Sequence, residues 1–239
     1  IKEAAVNTPR YGYDPVTGEC LGLLVEEQRT NLFTYSAQLH NGSVFTSKIS
    51  CTITPSADVL SPDGLLSVSA FKRTSAATSF ALQTTNIASG VAITLSLYVR
   101  RLDCDYVSLR LQGYLTYIDQ ANAVFNLATG TITQAATIAG AYTSPIATIT
   151  FVGGGWYRIT LTATTNADLL ARTIVSFSDQ NSRVDGGSTV ATCGGYIWGA
   201  QLELGAFPTS YIPTPATFTG RASTATYLDA NGVLQTAAS

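Results

Sequence analysis

The stretch VAITLSLYVR, residues 91–100, decides the fold class of this chain. Apolar side chains alternate along it with polar or amphipathic ones: Ile93, Leu95, Leu97 and Val99 against Thr94, Ser96, Tyr98 and Arg100. A period of two is typical of a β-strand, because successive side chains point to opposite faces of a sheet. We therefore predict a strand here, with one face on the core and the other in solvent.

The same alternation recurs along the chain in short segments separated by turn residues. These segments lie at 65–71, 79–83, 107–112, 123–127, 131–134, 146–151, 157–162, 173–177 and 196–204. Many short strands with Gly, Asn, Asp and Pro between them predict an all-β, antiparallel sandwich or barrel. Only residues 166–172 and 32–39 offer weak helix candidates.

Composition sets limits on the class of function. Of the 239 residues 46% are hydrophobic and only 12% are charged, about half the usual charged share. Such a surface relies on Thr, Ser, Asn, Gln and Gly, as secreted or virion β-proteins do. With net charge −2 and no basic run, we expect no nucleic-acid partner. No apolar stretch approaches the ~18 residues of a membrane span, so we expect no membrane insertion.

Both ends of the chain differ from its middle. We predict an N-terminal connector at 1–35, a jelly-roll sandwich at 36–215 and a C-terminal β-hairpin at 216–239, whose turn is Asp229 to Gly232. Residues 1–5 match 234–238 in pattern, so we interpret the chain as one of several tandem units or as a module cut from a longer fibre. We expect residues 1–5 and 233–237 to form ordered β-structure by pairing with each other, a neighbouring subunit or a flanking unit.

The four cysteines are far apart in sequence, at positions 20, 51, 104 and 193. No CxxC pair occurs among them, and His40 is the only histidine. Zinc binding is therefore not expected. We predict four free thiols, mostly buried as small hydrophobic side chains.

Several short sequence motifs resemble motifs that recur in tail and tail-fibre proteins of tailed bacteriophages. They are TPRYGYDPVTG (8–18), GLLVEEQRTNL (22–32), FNLATG (125–130), GWYR (155–158), YIWGAQLELG (196–205) and PTSYIPT (208–214). Together they cover most of the chain in the expected order. They carry over no set of ligand residues, because the shared phrases are architectural in character.

The resemblance implies a carbohydrate-binding-module-like jelly roll, of the concanavalin A-like or galactose-binding-like kind. It also implies a virion part, often a receptor-binding or adhesion module, which is assembled in the reducing cytoplasm of the bacterial host. A tail-fibre role predicts a homo-oligomer, with a trimer favoured because fibres are usually three-fold. Other virion proteins and a host cell-surface glycan are the partners that follow.

Enzyme chemistry finds little support in the residue pattern. His40 lies in a polar stretch with no GxSxG sequence, so it does not indicate a catalytic triad. Asp103 and Asp105 are two residues apart, a spacing that would place them on one face of a strand, but glycoside hydrolysis needs carboxylates across a cleft. Their hard oxygen atoms make them weak calcium candidates. The simpler interpretation is that Arg100, Arg101 and the two aspartates are surface residues at the end of a loop. We expect no cofactor and no catalysis.

Sugar binding is indicated by one cluster of residues. Tyr106 and Arg110 lie opposite the apolar face of 107–111, and Tyr114, Tyr117 and Asp119 follow. Jelly rolls hold glycans by stacking aromatic rings on sugar faces, with polar groups on the hydroxyls. The alternative is that these tyrosines cover a second core or a subunit contact. Trp156 and Trp198 are predicted to be core residues.

Three hypotheses about function therefore compete. The first is a non-catalytic phage module that recognises glycan in a tail fibre or tail spike. The second is a purely structural virion protein, such as a connector, decoration or fibre-shaft domain without a ligand. The third is an accessory domain beside a depolymerase elsewhere in the full protein.

Overall fold

A computed structural model describes residues 9–14, 16–24, 26, 28–115, 117–165, 170–181, 186–214, 226–228 and 234–236. These residues form strands joined by turns, and none of them forms a helix. The strands are β1 Tyr11–Tyr13, β2 Cys20–Leu23, β3 Ser47–Ile49, β4 Cys51–Pro55, β5 Ser69–Arg73, β6 Phe80–Asn86, β7 Ala92–Arg101, β8 Tyr106–Gly113, β9 Gln120–Asn126, β10 Thr131–Ala139, β11 Thr143–Gly153, β12 Trp156–Thr164, β13 Leu170–Ser178, β14 Gly194–Leu204, β15 Thr226–Leu228 and β16 Leu234–Thr236.

Two six-stranded antiparallel sheets form a jelly-roll sandwich. Sheet one has the order β10-β9-β8-β13-β6-β3, and sheet two has the order β11-β12-β7-β14-β5-β4. Two separate hairpins, β1–β2 and β15–β16, lie outside these sheets. The prediction of an all-β antiparallel sandwich is confirmed. Residues 1–5, expected to pair as a strand, lie outside the described residues.

The core lies between the sheets and is built from the alternating positions. On β7 the side chains of Ile93, Leu95, Leu97 and Val99 are buried in it. Leu95 pairs with Leu161 of β12 in the register, so the apolar rows of neighbouring strands coincide. Across the sandwich the rings of Phe71 and Phe177 lie 5.2 Å apart.

The opposite face of β7, predicted to be in solvent, is buried instead. Thr94, Ser96 and Tyr98 are almost inaccessible because irregular segments pack on the outer face of sheet two. A second apolar cluster forms there from Val59, Val68, Tyr98, Trp156 and Trp198. The two Trp residues are therefore core residues, as predicted. Their indole N–H groups donate to Leu60 O and Ser67 Oγ at 3.0 and 2.9 Å.

Buried polar side chains form hydrogen bonds that hold the segment 205–214 against sheet two. The Asn31 amide donates to the carbonyls of Ala200 and Ile212 at 3.0 Å each. The Gln201 carbonyl accepts from Ile212 N at 2.7 Å. The Glu203 carboxylate accepts from both the backbone and the hydroxyl of Thr209. The contacts of these residues are architectural.

Two sequence-based expectations about local structure are wrong. Leu170, Ala171 and Arg172, placed in a helix candidate, begin strand β13, and residues 166–169 of that candidate lie outside the described residues. Residues 32–39 form turns and irregular backbone. In both places long-range packing overrides a weak helix propensity.

The prediction of four free thiols is also wrong. Cys104 and Cys193 form a disulfide, with Cα atoms 5.2 Å apart. Cys104 follows β7 and Cys193 precedes β14, and these two strands pair antiparallel from Gly195 and Arg101 onward. Sheet pairing therefore brings together two residues that are 89 positions apart. Cys20 is free and exposed, and Cys51 is free and buried.

Candidate functional site

The outer face of sheet one carries mostly polar side chains across its central strands, although several of them, such as Ser108, Asn122 and Ser176, are buried. Register places Arg110 of β8 opposite Asn122 of β9 and Ile174 of β13, and Gln112 opposite Gln120 and Arg172. Since odd and even positions alternate, these side chains share the face away from the core. The outward positions of these three strands are Tyr106, Ser108, Arg110, Gln112, Gln120, Asn122, Val124, Asn126, Arg172, Ile174, Ser176 and Ser178. Two of them are positively charged and none is negatively charged.

At one end of this face, two tyrosine rings lie close to the guanidinium of one arginine. The Arg172 guanidinium lies 4.6 Å from the ring centroid of Tyr114 and 4.5 Å from that of Tyr117. Its Nη2 also donates to the Tyr117 hydroxyl at 3.4 Å. Tyr114 is 39% exposed and Tyr117 60% exposed. We call these three residues the Tyr–Arg platform; it is held together by cation–π attraction and remains open to solvent.

Hydrogen bonds fix the loop that carries the two tyrosines. Gly113 N donates to Asp119 O at 2.8 Å and closes the loop at its base. The Gln112 amide donates to Tyr117 O at 2.8 Å. Tyr114 N donates to Leu170 O at 3.2 Å, which joins the loop to β13. The platform is therefore positioned by the sheet.

The predicted sugar-binding residues do not all come together. Tyr114 and Tyr117 lie on the platform, and Arg110 lies on the same face one strand away from Arg172. Tyr106 is on that face too, but at the far end of β8, about 13 Å from Arg110 at the rise of a β-strand. Asp119 is buried, and its carboxylate accepts from Ala141 N at 2.8 Å in the turn before β11. Asp119 therefore serves a turn and does not face the platform.

Sequence reasoning missed Arg172, Gln112 and Asn122. Arg172 joins Tyr114 and Tyr117 only because β13 pairs with β8, whereas its sequence segment predicts a helix. The amide oxygen Oδ1 of Asn122 is buried and has no hydrogen-bond partner. Alternation at 170–178 was the available signal for Arg172. No local signal marks Asn122.

The residues weighed for catalysis or calcium are engaged in structural contacts. His40 Nδ1 lies 3.0 Å from Ser69 Oγ. The Asp103 carboxylate accepts from Gly194 N at 2.6 Å, and that of Asp105 pairs with Arg101. Within the described ranges, no group of three or more His, Cys, Asp or Glu side chains is placed to hold a metal ion. Nor does any helix there have the length and apolarity to cross a membrane.

Comparison with known proteins gives structural neighbours only. No protein family matches the sequence, and no curated protein matches it. One neighbour is the enzymatically active domain of tailspike protein 4 from bacteriophage CBA120, with TM-score 0.37 and 13% identity over 73% of this chain. Another is a glycoside hydrolase family 43 arabinoxylan arabinofuranohydrolase from Bacillus subtilis in complex with cellotetraose, with TM-score 0.37 and 11% identity over 83% of this chain.

These neighbours correct one expectation. Both are described as catalytic, and this finding contradicts our expectation of a non-catalytic module. The expectation covered two hypotheses, a non-catalytic glycan-recognition module and a purely structural virion protein. Both are therefore set aside. The chain spans only 21% of the tailspike chain and 33% of the hydrolase chain. The reaction and substrate of either neighbour are not transferred to this chain.

Proposed function

We propose that this chain engages polysaccharide as part of a phage tail protein that processes it, and that glycan binds on the outer face of sheet one. The observation that supports this most directly is the Tyr–Arg platform. Aromatic rings offer apolar faces on which sugar rings stack, and exposed rings held in place lose little entropy on binding. The neighbouring side chain of Arg110, which is partly exposed on the same face, supplies hydrogen-bond donors for hydroxyl groups.

Removing a platform ring is expected to weaken glycan binding. We expect Tyr117→Ala to lower the affinity for a bound polysaccharide about tenfold or more, which corresponds to ~1.4 kcal/mol. The probes are capsular polysaccharides and lipopolysaccharide O-antigens arrayed on a surface, with affinities for the best binders measured by calorimetry. Release of reducing ends is measured in the same samples, so that processing is scored beside binding.

The matched control is Tyr13→Ala, because Tyr13 is also 60% exposed but lies on the β1–β2 hairpin. The proposal requires that this variant bind as the unaltered chain does. It fails if the unaltered chain binds none of the arrayed glycans, or if the two tyrosine variants lose the same affinity.

The phage origin and virion location are also proposals. They are supported by the phrases at 8–32 and 196–214, which resemble tail and tail-fibre proteins. Assembly in the bacterial cytoplasm would delay formation of the Cys104–Cys193 disulfide until the protein leaves that reducing compartment. Antibody labelling of purified particles tests the location directly.

We propose that the chain forms a homo-oligomer, with a trimer favoured. Residues 120–157 contain no charged side chain, yet they include β10 and β11, one edge strand of each sheet. Edge strands are commonly protected from pairing by charges. The β1–β2 hairpin also exposes Tyr11, Leu21 and Leu23, although a two-stranded hairpin alone is marginal in water.

Light scattering tests the oligomer. We expect a mass about three times the 25.1 kDa of one chain. Ile146→Lys, which places a charge on the exposed side of β11, is expected to shift the mass toward one chain. Leu65→Lys is the control, because Leu65 is also well exposed, 62% against 55% for Ile146, and lies on a loop. A single-chain mass for the unaltered protein at all concentrations would disprove the proposal.

A further inference from the structure

We infer that the glycan bound at the Tyr–Arg platform carries methyl groups, as 6-deoxyhexoses and acetylated sugars do, and that Leu115 and Ile118 contact them. The inference rests on the proposed function, because it names the chemical class of glycan for the same surface. Both kinds of sugar present an apolar methyl group where an unmodified hexose has only a hydroxyl group.

The loop between β8 and β9 exposes aliphatic side chains beside the platform tyrosines. Leu115 is 76% exposed and Ile118 is 70% exposed, and Tyr117 directly precedes Ile118. Single exposed apolar residues are common on protein surfaces, whereas contiguous exposed patches mark binding sites. Four of the five residues at 114–118 are aromatic or aliphatic, and all four are exposed. The loop therefore forms an apolar patch that includes the platform tyrosines.

Backbone hydrogen bonds keep this patch compact and close to the platform. Gly113 N donates to Asp119 O at 2.8 Å across the base of the loop. Tyr114 N donates to Leu170 O of β13 at 3.2 Å. A closed loop of five residues extends no more than about 9 Å from its base. Both aliphatic side chains therefore lie within reach of a sugar chain that stacks on the platform.

The size of the patch fits sugar residues better than a protein partner. A stable protein interface buries about 800 Å² on each partner, from about 20–30 residues. The loop has only five residues, and most outward positions of the neighbouring strands are polar. A polysaccharide, in contrast, needs only a few aromatic and aliphatic contacts together with some polar groups. A lipid bilayer is the other apolar surface that such a loop meets in some proteins, and it is tested below.

The aliphatic side chains favour a methyl group over a hydroxyl group. Leu115 and Ile118 neither donate nor accept hydrogen bonds through their side chains, so a sugar hydroxyl group placed against them loses water without replacement. A methyl group at the same place gains from leaving water. One buried methyl group is worth about fourfold in affinity. A sugar with methyl groups therefore binds at this loop more tightly than its parent sugar.

Two sets of matched probes measure this preference. The first set contains O-acetylated capsular polysaccharides and O-antigens, each before and after mild alkali removes the acetyl groups. The second set pairs methyl α-L-rhamnoside with methyl α-L-mannoside, which differ in a single hydroxyl group, as competitors for bound polysaccharide. We expect the methyl-bearing member of at least one set to bind about fourfold more tightly. The set that responds identifies the substituent.

Ile118→Ser is expected to abolish the preference and to leave the affinity for the unsubstituted probe within about twofold. Leu66→Ser is the control and should keep the preference, because Leu66 is 63% exposed but lies in the loop between β4 and β5. Circular dichroism melting establishes that each variant is folded. Equal affinities within both sets of probes, or the same preference in the two variants, would overturn the inference.

The outcomes separate this inference from the proposed function. If the preference is absent but Tyr117→Ala still lowers binding, the proposed function stands and the inference fails. Carbohydrate-free liposomes of phosphatidylethanolamine and phosphatidylglycerol test the membrane alternative. If the unaltered chain binds them and Ile118→Ser does not, the loop contacts lipid and the inference fails. If no polysaccharide binds, both fail.

Discussion

Replacing Arg73 by Met is expected to lower the free energy of unfolding by about 3–5 kcal/mol, the range for breaking a buried charged network. Arg73 is 2% exposed. It lies on β5 of sheet two and donates to Phe177 O of sheet one at 2.7 Å. It also donates to Ser75 O and Ala77 O, at 2.9 and 2.6 Å, and to Gly186 O. Met fills similar space but leaves four carbonyl groups without this donor.

Urea unfolding of the purified chain measures the loss. Lys72→Met is the control, because Lys72 is the neighbouring residue on β5 but is exposed. It should change the stability by less than about 0.5 kcal/mol. Arg73→Lys should fall between the two, since one ammonium group cannot reach all four carbonyls. If Arg73→Met costs no more than the Lys72 control, Arg73 does not join the two sheets as we describe.

The sandwich could be predicted from sequence because its signal is local. Apolar and polar residues alternate within each strand, as they do from Ile93 to Val99. This alternation can be seen in the sequence without knowing which strands pair. The outer face of β7 could not be predicted in the same way. Thr94 is polar, so its burial depends on distant segments such as 205–214, where Gly205 O accepts from its hydroxyl at 2.8 Å.

The candidate site was predicted in part for the same reason. Tyr114 and Tyr117 lie in one loop, so their proximity follows from sequence. Arg172 is more than fifty residues away, and it reaches them only through the pairing of β8 with β13. Asp119 has the residue type expected of a sugar ligand, but the turn at Ala141 uses its carboxylate. Residue type alone does not show which polar groups the fold has already satisfied.

The Cys104–Cys193 disulfide is expected to contribute about 2–5 kcal/mol to stability, the usual cost of losing a native disulfide. It closes a long loop, since its cysteines are 89 positions apart, so much of the effect comes from restricting the unfolded chain. The measurement compares urea midpoints of the unaltered chain and the Cys104→Ala, Cys193→Ala double variant. Cys20→Ser is the control, because Cys20 is exposed and unpaired.

Thiol counting without reductant tests the pairing itself, on protein allowed to oxidise in air. In the folded chain one thiol, that of Cys20, should react. Burial raises the pKa of the Cys51 thiol to about 11, so Cys51 has little reactive thiolate near neutral pH and is also shielded from reagents. In denaturant two thiols should react, and reductant should raise that number to four. Four reactive thiols in denaturant before reduction would show that Cys104 and Cys193 remain unpaired.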